Sequence, residues 1–170
     1  MSLVGIKFSF QRLINKKRKW WQETPEGKIA VPWGFYKNFP DKPIFKEYFE
    51  DINKDLGCVE LVFLEQKDLL DTKWENGILV TFDAKWNDCW TPFGVVPGST
   101  GGKGQITKYG VPPMWQLMRF SPKCLHKGMV HHMVLHALGF HHLQTRPDRD
   151  QFIKIDMKQV EKRIGKSFHI

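Results

Sequence analysis

The stretch HHMVLHALGFHHLQTRPDRD, His131 to Asp150, decides how this chain is read. The chain has seven histidines, and five of them (His131, His132, His136, His141 and His142) fall within twelve residues of one another. His132 and His136 are four apart on a segment with helical spacing, so their imidazoles share one face, one turn apart. Gly139 follows three residues later. A glycine there can adopt the left-handed conformation that ends a helix and reverses the chain. His142 then arrives from the returning chain as a third ligand. Three neutral imidazoles leave one tetrahedral position open, the arrangement of a catalytic rather than a structural zinc. A lone pair four apart reads more simply as surface or satisfied core histidines. The third histidine and the glycine between tilt the reading to one Zn2+ held by His132, His136 and His142. His131 and His141 fall on other faces and are read as supporting or solvated residues. His126 and His169 carry no signal.

Outward from this stretch, the pattern gives a fold with both helices and strands. Residues 127–139 read as the metal-bearing helix. Residues 42–57, KPIFKEYFEDINKDLG, read as an amphipathic helix with Ile44, Phe45, Tyr48, Phe49 and Ile52 at helical spacing and Gly57 as its stop. Strands are expected at 27–35, at 58–66 with Val59, Leu61 and Phe63 alternating, at 77–84, and at 114–120. Residues 87–113 are rich in glycine and proline and read as a surface excursion. Within it GSTGGKG lacks a following GK[ST], so a phosphate loop is not read there. Residues 156–164 read as a further helix.

Composition narrows the class. At 170 residues with 41% hydrophobic content, the chain can build a sizeable core and is not of disordered type. No apolar run approaches the ~20 residues of a membrane span. The net charge of +8 permits attraction to polyanions, and much of the excess sits in Lys16-Lys17-Arg18-Lys19. The basic residues form no stripe with interleaved aromatics, so nucleic acid is not the expected partner. The first 21 residues do not read as a secretory signal. Three cysteines, Cys58, Cys89 and Cys124, leave at least one thiol unpaired within the chain. A monomer is expected.

The pattern H-x-x-x-H-x-x-G-x-x-H is the metal half of the metzincin signature. The segment HMVLHALGFHHLQTRPDRDQFIKI resembles the active-site segment of the astacin metallopeptidases, HExxHxxGFxHExxRxDRDxYI. The match continues past the ligands through Gly139, Phe140, Arg146, Asp148, Arg149 and Asp150. KKRKWWQETPEGKIAVPWGF, GCVELVFLEQ, DCWTPFG and WQLMRFSPKCLHKG are similar to further stretches of that family, so residues 16–160 resemble its N-terminal lobe. The resemblance implies an α+β fold: a twisted mixed sheet, a backing helix at 42–56 and a zinc-binding helix at 127–138. Residues 1–19 are expected to be a basic segment left from a propeptide, and 20–170 a peptidase domain lacking the C-terminal lobe. It also implies a secreted zinc metalloendopeptidase that takes an extended peptide or protein along an edge formed by Trp115, Gln116, Leu117 and Met118. Cys89 and Cys124 match a family disulfide, which leaves Cys58 free.

The departures bear on activity. Met133 stands where the family has the glutamate that shuttles the proton, and a thioether has no proton to take or give. Its side chain is expected beside the open metal position, and no catalytic residue is expected. Leu143 replaces the glutamate that ties down the cut N-terminus, and the methionine turn, tyrosine ligand and last cysteine have no counterpart. The expected function is an impaired or inactive astacin-like peptidase. The alternatives are a pseudoprotease that binds peptides without cutting, an active enzyme with Asp148 or Asp150 as substitute base, and a relic without a role.

Overall fold

A computed structural model describes residues 20, 22–69, 74, 76–96, 115–145, 147–156 and 158–159. The basic run at 16–19, the glycine-rich stretch at 98–104, Arg146 and His169 lie outside the described residues. The chain divides into two compact units, Met1–Phe140 and His141–Ile170.

The first unit is built on four strands: β1 (Ile29–Phe35), β2 (Val59–Phe63), β3 (Gly77–Phe82) and β4 (Trp115–Phe120). Their order is β2-β1-β3-β4, and each neighbouring pair is parallel. Among the described residues, antiparallel pairing is confined to two isolated bridges, Glu23 with Ile29 and Trp90 with Arg119. A mixed sheet was expected; the four described strands are instead all parallel, and the antiparallel contacts are single bridges. β3 is buried at Gly77 to Thr81, as a strand covered on both faces must be.

Pro32 sits in β1, between two partner strands, where a missing N–H should break a ladder. The register avoids this. Ile29 donates to Cys58 and Trp33 accepts from Leu64 on the β2 side, whereas Ala30 and Tyr36 donate on the other side. Pro32 shares the phase of Ala30, and the pairing of β1 with β3 begins only at Trp33. The absent donor falls before that ladder starts.

Helix α1 (Lys42–Asp55) packs Phe45, Phe49 and Ile52 into the core at the i, i+4, i+7 spacing of one face. Ile44, expected to be buried with them, is 48% exposed because it lies off that face. The helix ends before Gly57. Leu56 turns extended, and Asn53 Oδ1 accepts from Leu61 N at 2.8 Å, leading the chain into β2. The core is aromatic: Trp33 stacks on Phe49 with centroids 3.9 Å apart, and Phe39 meets Phe45 edge-on at 4.7 Å. Burying each such ring contributes about 1.5–3 kcal/mol. Val31, Ile78, Val80, Met118 and Phe120 join this cluster from the sheet. On the other face Leu79 and Trp115 pack with Leu69. A Cβ on Gly77 would lie 2.7 Å from the Trp115 ring, so only glycine allows that close approach.

The second unit holds two short 3-10 turns, Leu143–Thr145 and Arg149–Gln151. Arg149 Nη1 donates to the Gln144 carbonyl at 2.9 Å, linking them. Of the helix expected at 156–164, Lys158 and Gln159 are described and helical, with Asp156 Oδ1 accepting from Gln159 N.

Candidate metal centre

Helix α2 (Lys127–Ala137) carries the histidines, and both of its ends are specified. His126 is its N-cap: its Nδ1 accepts from Met129 N at 3.3 Å. Histidine is not a usual cap, which is why sequence reasoning assigned His126 nothing. At the other end Gly139 takes φ 98°. Phe140 N donates to the Leu135 carbonyl and Gly139 N to the His136 carbonyl. These are the two hydrogen bonds of a Schellman turn, formed at the glycine that the sequence marked.

Apolar residues at 130, 133, 134 and 137 face the core, which leaves positions 132 and 136 on a different side of α2. The rings of His132 and His136 have centroids 4.2 Å apart at 72°. His136 is buried, and Phe93 meets its ring edge-on at 4.5 Å. Its Nδ1 lies 2.7 Å from the carbonyl oxygen of Phe140. A carbonyl only accepts, so this contact requires Nδ1 to carry the proton and leaves the Nε2 lone pair for a metal. Such a partner on the far nitrogen is the usual support of a metal-ligating imidazole. The residues present fit a zinc ion: soft-borderline imidazole donors with one tautomer already selected. His142 is the second residue of the second unit and is exposed, and its carbonyl accepts from both Thr145 N and Thr145 Oγ1. His132, His136 and His142 each offer one ring nitrogen to a group that could hold a metal ion.

Met133 is 2% exposed and belongs to the apolar cluster with Val130, Val134 and Ala137. It is therefore a core side chain that directly follows His132 of the candidate centre. His131 serves the packing of the two helices. Its Nε2 lies 3.2 Å from the Tyr48 carbonyl and 3.8 Å from Asp51 Oδ2, and Asp51 also pairs with Lys127. The hydrogen bond from Lys127 holds the Asp51 carboxyl below its ordinary range, and the same contact raises Lys127. His141 is exposed.

A disulfide joins Cys89 to Cys124, 35 residues apart, and Cys58 is free and exposed. β4 lies at the end of the described sheet order. Trp115, Gln116 and Met118 are fully buried and Leu117 is half-buried, so those four side chains offer little to a ligand. Among the described residues, what β4 presents outward is backbone. Its outer phase is fixed by Arg119, whose N and O pair with Trp90. Trp86 and Trp90 are exposed beside this edge, with the Arg119 guanidinium 4.1 Å over the Trp86 ring.

The model of the Astacin peptidase family matches residues 71–170. The chain belongs to the astacin family. Its similarity to curated astacin-type proteins is concentrated in a short stretch. It is 47% identical over 47 residues to the zinc metalloproteinase dpy-31 of Haemonchus contortus, covering 28% of this chain and 9% of that protein. It is 25% identical over 144 residues to the astacin-like metalloendopeptidase of Gallus gallus, covering 84% of this chain and 29% of that one. The chain thus spans only a small part of the relatives it matches. In fold it resembles the hatching enzyme zinc-protease high choriolytic enzyme 1 of Oryzias latipes, with a TM-score of 0.55 at 20% identity over 85% of this chain and 60% of that one. Myroilysin is similar at a TM-score of 0.50 and 16% identity, over 86% of this chain and 62% of that one. The astacin fold is α+β, and this chain carries an astacin-like zinc metalloprotease domain.

Proposed function

We propose that this astacin domain holds one zinc through His132, His136 and His142, grips an extended peptide along β4, and cleaves it poorly or not at all. The observation that carries this reading is Met133, a buried thioether directly after the first histidine. Zinc, when bound, supplies a Lewis acid that acidifies water and polarises a carbonyl. The chain's own residues must then move the proton. Met133 has no lone pair basic enough to accept it and no proton to return to a leaving amine. Loss of a general base typically slows such a reaction by about 10²–10⁴-fold. His136 orients itself through Phe140, and α2 holds His132 one turn away; both serve binding and neither replaces the missing carboxylate.

A peptide would add to β4 as a further strand, through main-chain hydrogen bonds, since Trp115, Gln116, Met118 and Phe120 of β4 are buried. That favours the non-cutting peptide binder as the second reading, because backbone pairing does not depend on position 133. The Cys89–Cys124 disulfide accords with an oxidising, extracellular setting. No helix among the described residues is long and apolar enough to cross a membrane.

The test is a casein or gelatin digest by the zinc-supplemented chain beside His136→Ala. Equal background rates are expected. Chelator-sensitive cleavage seen only in the unmutated chain would overturn the reading and direct attention to Asp148 and Asp150 as substitute bases.

A further inference from the structure

The carbonyls at the end of a helix have no partner within it, and a buried one must find a partner elsewhere. At the end of α2 every one is accounted for. Val134 O takes Leu138 N, Leu135 O takes Phe140 N, and His136 O takes both Gly139 N and Gly94 N. The remaining one, Ala137 O, accepts from the indole Nε1 of Trp20 at 2.9 Å, in a buried bond spanning 117 residues of sequence. Trp20 itself is buried in the main core. Its segment is tied to the sheet two residues later: Gln22 O accepts from Ala30 N of β1 at 2.7 Å, and Gln22 Oε1 accepts from Asn76 N beside β3 at 3.2 Å.

Two donors from outside the helix, Gly94 N and Trp20 Nε1, therefore grip the two peptide groups that follow His136. The same turn delivers the Phe140 carbonyl that selects the His136 tautomer. We propose that Trp20 is a positioning residue for the metal centre: its indole N–H fixes the last turn of α2, and that turn fixes the ring of His136. The inference rests on the zinc reading above. Without the indole N–H, Ala137 O is left buried and unpaired, and the turn must open toward water to satisfy it. Phe140 O then moves away from His136 Nδ1, and the ring loses its single orientation.

The test uses the intact chain and Co2+ as the probe, with affinity and ligand-field spectrum measured well below the melting temperature. Trp20→Phe keeps an apolar ring and removes the donor. It should bind Co2+ roughly 10- to 100-fold more weakly than the unmutated chain, the usual penalty for losing a group that supports a ligand. Phe49→Leu, which loosens the core at α1, should lower the melting temperature and leave the affinity unchanged. Unchanged affinity in Trp20→Phe, or an equal loss in Phe49→Leu, would overturn the proposal. If Trp20→Phe does not fold, Trp20→Leu takes its place in the comparison. Failure of the unmutated chain to bind Co2+ would mark the zinc reading as the part at fault. The metal-free chains then decide by 15N NMR of His136: a proton held on Nδ1 in the unmutated chain and mixed tautomers in Trp20→Phe support the positioning role, and identical spectra end it.

Discussion

His136 Nδ1 lies 2.7 Å from the carbonyl oxygen of Phe140, four residues further on, across the left-handed turn at Gly139. One contact thus couples helix termination to ligand chemistry. The glycine conformation brings the carbonyl back over the last turn, and the carbonyl chooses which ring nitrogen carries the proton. Gly139→Ala should strain this turn, since a Cβ at positive φ costs about 1–2 kcal/mol. A fall in melting temperature of roughly 2–8 °C is expected by calorimetry, together with weaker zinc binding. Undiminished zinc affinity would separate the turn from the ligand.

The Cys89–Cys124 disulfide closes a loop of 35 residues. Loops of that size stabilise by about 3–4 kcal/mol in the chain-entropy account. Cys89→Ser should lower the urea midpoint and steepen the slope, because the unfolded chain without the cross-link exposes more surface. Non-reducing peptide mapping should recover the 89–124 pair and label Cys58 with a thiol reagent. A linkage through Cys58 would contradict the structure.

The Asp51–Lys127 contact predicts a shallow dependence of stability on pH. Asp51 is depressed in the folded state, so its contribution is present above its ordinary value of 3.8 and is lost as pH falls below it. Lys127 is raised, so its contribution is present below 10.5 and is lost as pH climbs past it. Asp51→Asn should flatten the acid limb of a melting-temperature profile below about pH 4, where the unfolded-state carboxyl takes up its proton. Both groups are exposed, and 0.5 M salt should shrink the effect. A profile identical to that of the unmutated chain would remove the ion pair from the account.

Met133→Glu puts a carboxyl where the structure buries an apolar side chain. Burial disfavours the charged form, so the folded-state pKa of the new group should rise above its unfolded value of about 4.3. The folded state then holds more protons, and stability falls as pH rises. The variant should be closer to the parent at pH 5 than at pH 8 in denaturant titrations. A carboxyl kept protonated is no base, so casein cleavage should not return. Recovery of cleavage at pH 8 would mean that the side chain at 133 turns out of the core toward the metal.

The helices were legible because their apolar residues repeat at one spacing, and the strands because β-formers run between turn residues. His132, His136 and Gly139 were legible because a metal and a helix end each require a fixed interval along the chain. What escaped the sequence depends on distant partners. Ile44 looked like a core residue, yet its phase on α1 carries it to the surface. Trp20 and Gly94 gave no sign of gripping α2, since their bonds to Ala137 and His136 span the fold. Pro32 argues against an interior strand until the register with β3 is known. Met133 could be recognised as unable to shuttle a proton, but not as a core residue, because positions 132 and 133 are adjacent and only packing decides which side each takes.

The central claim is that the stretch from His132 to His142 makes one metal site, and metal stoichiometry tests it most directly. After equilibration with zinc and removal of the excess, elemental analysis should find one zinc per chain in the unmutated protein and in His131→Ala. His136→Ala should fall to background. Zinc retained by His136→Ala, or lost from His131→Ala in a folded protein, would contradict the account.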